Sequence, residues 1–428
     1  MNEQKQKILV LGGGISGCTV AYLLKKRRYN VKILEKESIG GLCATKNMGN
    51  INYEFGPHIC YASENTAAYD IFHELLPEFK YIKYFPKQSM DGEIHNLATF
   101  PITVANVLNL PEKDRVKAIE ELYHVNLDNP CYDNFEKYII SRVGETMYEY
   151  CYKNYNRKQW GLEPKDMDSE WARFRNFYLR SGDYGMFGDA WQGHPGTYNP
   201  FFERLTKGIE VIYDTIERIE YDGDHVSAVV GQKKTYDADF VISTLPIDVV
   251  LNKKDTLDYR GITKLFYLLK GSSGIPTYLC TFPNNYSWTR ITDYGLQALQ
   301  DNENSLISFA IPHSSKDKIL NFEQWIEEAD NFVTDKLCRK ILERKTTNYD
   351  YVYPVSSGPM LKKYNEFIER ISKVDNLITF GRLGLYSYIS MCTAINQAAD
   401  IAEHLSEILE MKQDEKCNYY KRLRERLS

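Results

Sequence analysis

The chain has 428 residues, 43% hydrophobic and 26% charged, an ordinary globular composition long enough for roughly two or three domains. Its net charge of −5 is small and mixed in sign, without the basic block by which nucleic acid or an anionic membrane surface is bound. No apolar run approaches the roughly 18 residues of a membrane span, and the nine cysteines include no CxxC pair, so the expectation is a cytoplasmic protein with reduced thiols, no metal, no nucleic-acid partner and no stable membrane insertion.

Residues 1–7 are polar and carry no signal-type apolar core. The apolar run at 7–11 then reads as a strand buried on both faces. Gly12, Gly14 and Gly17 follow at GxGxxG spacing, residues 18–26 read as a helix, and 31–34 as a second strand ending at Glu35. This is a Rossmann-like βαβ unit. Gly12 permits the tight turn, Gly14 lets the backbone approach a pyrophosphate, and Gly17 lets helix pack on strand. The helix start, with Ser16, offers free N–H groups and a positive dipole end to phosphates. Glu35 is placed to accept from a ribose diol. Lys36 and a second glycine pair, Gly40-Gly41, come next, followed by Leu42. That pair resembles the one in the large FAD-dependent family of amine oxidases and protoporphyrinogen oxidase. The resemblance implies FAD rather than NAD.

Helical spacing marks residues 114–124, 134–143 and 145–154. Residues 211–230 alternate around Asp222-Gly223 as a hairpin should. The run 238–246 resembles the strand that returns to an FAD domain, and 262–312 is rich in short β runs. Residues 376–382 form a strand ending at Gly381-Arg382, and 390–409 a helix whose start carries Ser390 and Met391. The tail after Met411 reads as a charged surface helix. The expected fold is α/β: a discontinuous Rossmann-like FAD-binding domain (1–95, 205–255, 350–410), a helical domain (96–180), an antiparallel sheet domain (181–204, 256–349) and the tail (411–428). The 33 tyrosines fit either an aromatic-rich core or a polar cleft in which each ring packs on a ligand and donates a hydrogen bond.

The segment Tyr155-Asn156-Arg157-Lys158-Gln159-Trp160-Gly161, then Arg173, then Trp191-Gln192-Gly193-His194-Pro195, resembles the UDP-galactopyranose mutases. Gly56-Pro57-His58, Tyr259-Arg260, Trp288-Thr289-Arg290, Tyr353-Pro354 and 380–388 match further pieces of that family in order, so the likeness covers nearly the whole chain. It implies an isomerase that interconverts pyranose and furanose forms of a UDP-galactose-like sugar for polysaccharide biosynthesis. The chemistry implied is a flavin N5–sugar adduct on reduced FAD, and the expected assembly is a homodimer. It further implies that Arg290 and Arg382 flank the diphosphate, Arg173 closes from the helical domain, and Tyr353 and Tyr388 donate to phosphate oxygens. Tyr155 would stack on the nucleobase, Trp160 face the sugar and His58 lie by the flavin, with His58, Arg290 and Arg382 as the catalytic residues. Gly12, Gly14, Ser16, Gly17, Glu35, Lys36, Gly41 and Leu42, then His58, Gly381, Arg382, Ser390 and Met391, would hold the cofactor.

Each assignment has a plainer reading: Arg173 as a surface charge, Trp160 as core, His58 as a structural histidine. The chain also departs from the family at Tyr61 (histidine expected), Ser390 (aspartate expected) and Trp191, all toward the sugar and flavin rather than the diphosphate. An N-acetyl, 6-deoxy or longer-chain sugar is therefore in view. The competing function is an FAD-dependent oxidoreductase of the amine oxidase or phytoene desaturase type. It would need an apolar substrate cavity and no arginines poised for a diphosphate.

Overall fold

A computed structural model describes residues 6–76, 80–81, 86–100, 102–169, 172, 177–179, 191–300 and 303–425. The first strand, β1 (Lys7–Leu11), is buried beyond its first residue because both faces are covered, which is why its sequence is a continuous apolar run rather than an alternation. Helix α1 (Ile15–Lys26) crosses to β2 (Asn30–Glu35), which lies parallel to β1 with Val10 opposite Ile33. Three more parallel strands complete the sheet, in the order Glu210–Tyr213, β2, β1, Phe240–Ser243, Leu377–Thr379. Helices α1 and Met391–Glu410 pack against one another. This is the Rossmann-like α/β layer expected, drawn from three distant parts of the chain.

A seven-stranded sheet forms the second layer. Its order is Ile341–Pro354, Tyr259–Lys270, Asn304–Ser314, Arg290–Asp293, Leu279–Thr281, Lys87–Ser89, Leu97–Thr99, antiparallel except for one parallel pair (Leu279–Thr281 with Lys87–Ser89). The strand Tyr259–Lys270 is buried along nearly its whole length, whereas the edge strand Ile341–Pro354 exposes Glu343, Arg344 and Lys345 and so discourages edge pairing.

Four local expectations change. Strand Lys87–Ser89 and the end of Ile341–Pro354, expected within the cofactor domain (1–95, 350–410), and strand Leu97–Thr99, expected within the helical domain (96–180), join the antiparallel sheet. The hairpin is shorter than 211–230: Glu210–Tyr213 pairs with β2, and only Ile216–Asp222 and His225–Gly231 form the hairpin. Its cause is Asp214, whose carboxylate takes the amides of Thr215 and Lys233 and turns the chain between the two. The helix starting at Glu145 does not stop at 154. It passes through a π turn at Glu149–Lys153 and ends at Trp160, because no breaker intervenes before Gly161, which caps it at φ 66°. The tail helix Gln413–Glu425 is not a bare surface element, since Tyr419, Tyr420 and Leu423 are buried in the main core.

Among the described residues no helix is long and apolar enough to cross a membrane, and no group of three or more His, Cys, Asp or Glu side chains could hold a metal ion.

Candidate active site

One cavity of about 380 Å³ runs between the two sheets. Its floor is the first glycine turn. Gly12 adopts φ +102°, and a Cβ on Gly17 would lie 1.9 Å from the Gly12 carbonyl oxygen, so both positions need glycine for the turn and the helix to meet. Gly14 differs: a Cβ there would meet no atom within 4 Å, because that backbone faces open cavity. Helix α1 begins immediately after it with no side-chain cap, which leaves its first N–H groups free for a pyrophosphate beside Gly14. The second glycine pair folds back on the first. Gly40 donates its N–H to the Gly13 carbonyl at 2.8 Å, and a Cβ on Gly41 would stand 3.4 Å from the Gly14 Cα.

Glu35 secures this loop. Its two oxygens accept from the amides of Gly13 at 2.7 Å and Glu37 at 2.9 Å. Neither Glu35 nor Lys36 lines the cavity; Lys36 sits at the surface 3.7 Å from Glu37. On the far side, Gly381 has φ +81°, and a Cβ there would stand 2.8 Å from the Ser16 Oγ. Ser390 caps the helix Met391–Glu410, accepting the Thr393 amide at 3.0 Å, so it performs the capping that an aspartate would and leaves this second helix start facing the cavity. Ser16, Leu42, Ser390 and Met391 all line the cavity with Gly14.

The other end is cationic and aromatic. Arg290, at the start of its strand, donates from Nη2 to the Tyr353 hydroxyl at 3.0 Å, while its buried Nε has no hydrogen-bond partner. Arg382 donates to the Ile389 carbonyl at 2.6 Å and the Val352 carbonyl at 3.4 Å, and its guanidinium lies 5.4 Å and 5.1 Å from the Tyr353 and Tyr388 ring centroids. Trp160 meets both tyrosines edge-on, at 5.8 Å each. Two arginines thus line the cavity wall with no carboxylate opposed to either among the ion pairs of the described residues. Such a wall accepts a multiply charged anion.

His58 lines the cavity between these two ends. Burial, followed by Arg382, His194, Lys264 and Arg290, pushes its imidazole down to about 3, so the ring is neutral at physiological pH. Its buried Nδ1 has no hydrogen-bond partner. In this state the ring offers a hydrogen bond and is a weak acceptor of a transient proton.

The segment 158–160 holds the wall together. Lys158 extends its ammonium into the loop before Arg290 and donates to the carbonyls of Phe282 at 2.6 Å, Tyr286 at 3.0 Å and Trp288 at 2.8 Å. Burial pushes that ammonium down to about 8, against the pull of Glu328. Gln159 accepts from the Thr289 hydroxyl at 3.3 Å, and Arg260 donates to the carbonyls of Lys158 and Gln159, closing the helix end. Lys158→Met removes one cation from three buried carbonyls and is expected to cost about 2–4 kcal/mol of stability. Thermal unfolding measures it; an unchanged melting temperature would remove Lys158 as the clamp.

Of the residues expected from sequence, Gly14, Ser16, Leu42, His58, Tyr155, Trp160, Arg290, Tyr353, Arg382, Tyr388, Ser390 and Met391 share this cavity. Gly12, Gly17, Gly41 and Gly381 shape its walls from behind. Arg173 lies outside the described residues, as do Gly182, Gly185 and Gly188 between it and Trp191. Tyr155 lines the cavity together with Arg290, Tyr353 and Tyr388. The aromatic surface farther along the wall is Phe100, Tyr152 and Phe177, with Tyr152 5.6 Å from Phe177. No spacing in the sequence singled these three out.

Comparison with known proteins agrees with this geometry. Residues 150–388 match the sequence model of the UDP-galactopyranose mutase family, and residues 10–75 that of an NAD(P)-binding Rossmann-like domain. A dTDP-fucopyranose mutase from Escherichia coli is 25% identical across 93% of this chain and 97% of its own. A probable UDP-galactopyranose mutase from Klebsiella pneumoniae is 22% identical across 94% and 96%. A crystal structure of reduced UDP-galactopyranose mutase superposes with a TM-score of 0.81 at 17% identity, covering 98% of this chain and 99% of that one. A putative protoporphyrinogen oxidase from Exiguobacterium shares the fold at a TM-score of 0.70 and 13% identity, over 94% and 99%.

Proposed function

The chain belongs to the UDP-galactopyranose mutase family, enzymes of the isomerase type, and from that premise we propose that it interconverts the pyranose and furanose forms of a UDP-galactose-like sugar on reduced FAD. The observation that carries the reading is the single cavity with a dinucleotide cradle at Gly14 and a paired-arginine, multi-tyrosine wall facing it. FAD fits the residues present: the open backbone at Gly14, the uncapped start of α1 and the second helix start behind Ser390 suit its phosphates and ring. When bound in its reduced form, FAD supplies the electron pair that takes up the anomeric carbon, with no net redox change.

The rest of the work falls to side chains. Arg290 and Arg382 bind the departing diphosphate and keep it within reach of the sugar, which lowers the entropic cost of its return. The hydroxyls of Tyr353, which accepts from Arg290, and of Tyr155 and Tyr388, which line the same cavity, donate to phosphate oxygens in this reading. Trp160, 5% exposed, walls the reacting region off from water. His58 stays neutral and orients by hydrogen bonding. Phe100, Tyr152 and Phe177 supply the stacking surface for the base, in place of Tyr155. Homodimer formation, a cytoplasmic setting and a role in polysaccharide biosynthesis belong to the same proposal; sedimentation tests the first.

The sugar itself is open to a direct assay. The E. coli relative is named for a dTDP-linked fucose, so dTDP- and GDP-sugars, N-acetyl and 6-deoxy forms stand beside UDP-galactose. Dithionite-reduced protein is expected to form a furanose product from one of them, read by chromatography. Turnover by the oxidised protein with oxygen consumption, and none when reduced, would instead establish the amine oxidase or phytoene desaturase type of chemistry.

A further inference from the structure

The helix Glu112–Tyr123 turns its apolar side chains outward. Of its twelve residues only Ala118 is buried, while Val116, Ile119 and Tyr123 stand 54%, 53% and 86% exposed. Their spacing of three and four places them in one stripe along the outer face. A surface helix ordinarily turns such a stripe to the core and its charges to water. The short helix before it, Val104–Leu108, touches it and also exposes Val104 and Leu108. An apolar stripe left in water marks a face that another surface covers.

The charges of this helix say what that surface is. Most are already used within the chain. Asp114 accepts from the Tyr150 hydroxyl at 2.8 Å, Arg115 donates to the Leu110 carbonyl at 3.0 Å, and Glu121 accepts from the Thr146 amide at 2.7 Å. Lys117 reaches Glu121 at 3.5 Å and Glu145 at 3.8 Å. Glu112 lies in the first turn, where the helix dipole favours an anion. Lys113 and Glu120 remain, both exposed and in no ion pair among the described residues. They are seven residues apart, so they flank the apolar stripe on the same edge, one toward each end. An edge with a cation at one end and an anion at the other is complementary to a reversed copy of itself.

We propose that this face is the contact between two copies of the chain, with their Glu112–Tyr123 helices antiparallel across a two-fold axis. The axis falls between Lys117 and Ala118, which sets Val116 of one copy against Ile119 of the other, and reciprocally. Lys113 of each copy then stands beside Glu120 of the other, so two opposite-charge pairs flank one apolar seam. The surface rests on the homodimer reading and not on the sugar chemistry. Twelve helical residues span about 18 Å. A seam of that length is small for a protein interface, and the dimer is expected to dissociate on dilution.

The test is sedimentation of the full chain over a concentration series. Wild type is expected to pass from monomer to dimer. Lys113→Glu makes the edge wholly acidic and Glu120→Lys makes it wholly basic, so each variant alone is expected to dimerise about tenfold or more weakly. Mixed in equal amounts, the two are expected to pair with one another at close to wild-type affinity, because every flank again meets its opposite. Such recovery cannot arise from a damaged fold, since mixing repairs neither chain. Ile119→Asp is expected to lose the dimer and to recover it in neither mixture. Single variants that dimerise as wild type does, or a mixture no tighter than its components, overturn this surface and leave the homodimer standing. A wild type that stays monomeric overturns both. Retention of that monomer on anionic lipid vesicles would give the face to a membrane, again overturning the proposal.

Discussion

Arg290→Ala is expected to lower kcat for pyranose–furanose exchange by about 10²–10³, the cost of removing one preorganised donor from a developing anion in a desolvated site. The residue is fixed on both flanks. Its strand pairs with Leu279–Thr281 and Asn304–Ser314, and the loop ahead of it is clamped by Lys158. Its guanidinium therefore waits in place, held by Tyr353, with Nε buried and unpartnered. An unpartnered buried donor is costly in the free protein, and a phosphate oxygen relieves that cost as the bond to the sugar breaks. Arg290→Lys is expected to recover less than about a tenth of the lost rate, because an ammonium cannot reproduce the planar fork. Tyr353→Phe removes a hydrogen-bonding group whose partners are charged and is expected to cost about 1.5–3 kcal/mol, or roughly tenfold to a hundredfold. Steady-state rates with reduced protein decide this; an Arg290→Ala enzyme within threefold of wild type would move the diphosphate elsewhere.

What the sequence revealed about this site follows from which residues carry position-dependent physics. Glycines at a turn do, because a Cβ at Gly12 or Gly17 has nowhere to go. The strand runs 7–11, 240–243 and 377–379 do, because burial on both faces leaves a continuous apolar run. The arginines were legible only through resemblance, since nothing in the residues around Arg382 marks it as a cavity residue.

Tyr155 lies where reading by pattern stops: the π turn at Glu149–Lys153 inserts a residue and rotates everything after it by roughly 100°, so helical spacing up to 154 does not give its face, and its role rests on resemblance alone. The burial of Lys264 is illegible for a different reason: only the sheet register shows that strands on both sides flank it. The tail helix was misread because its charges outnumber its aromatics, although Tyr419 and Tyr420 decide where it packs.

The glycine cradle yields a second large effect, and it separates folding from binding. Gly17→Ala places a methyl 1.9 Å from the Gly12 carbonyl oxygen and 3.3 Å from Val10, both in the buried seam between α1 and β1. The carbonyl cannot retreat cheaply. Gly12 is tied to Leu34 through its amide at 2.8 Å, and Gly13 next to it is held by Glu35 and by Gly40. Helix α1 must therefore shift off the sheet, at about 3 kcal/mol or more, the upper range for overpacking a core. The protein is expected to melt earlier and to purify without flavin. Gly14→Ala should behave otherwise, because its methyl meets no other protein atom within 4 Å, and the change from glycine to alanine at a helix N-cap costs only about 0.5–1 kcal/mol. Its melting temperature as apoprotein should fall far less than that of Gly17→Ala, while FAD affinity falls at least about tenfold, or 1.4 kcal/mol, since the methyl occupies the space left for the pyrophosphate. Apoprotein melting curves and flavin titration read the two effects independently. If Gly14→Ala binds FAD as wild type does, the open backbone there is not the cofactor's seat, whatever Gly17→Ala does to the fold.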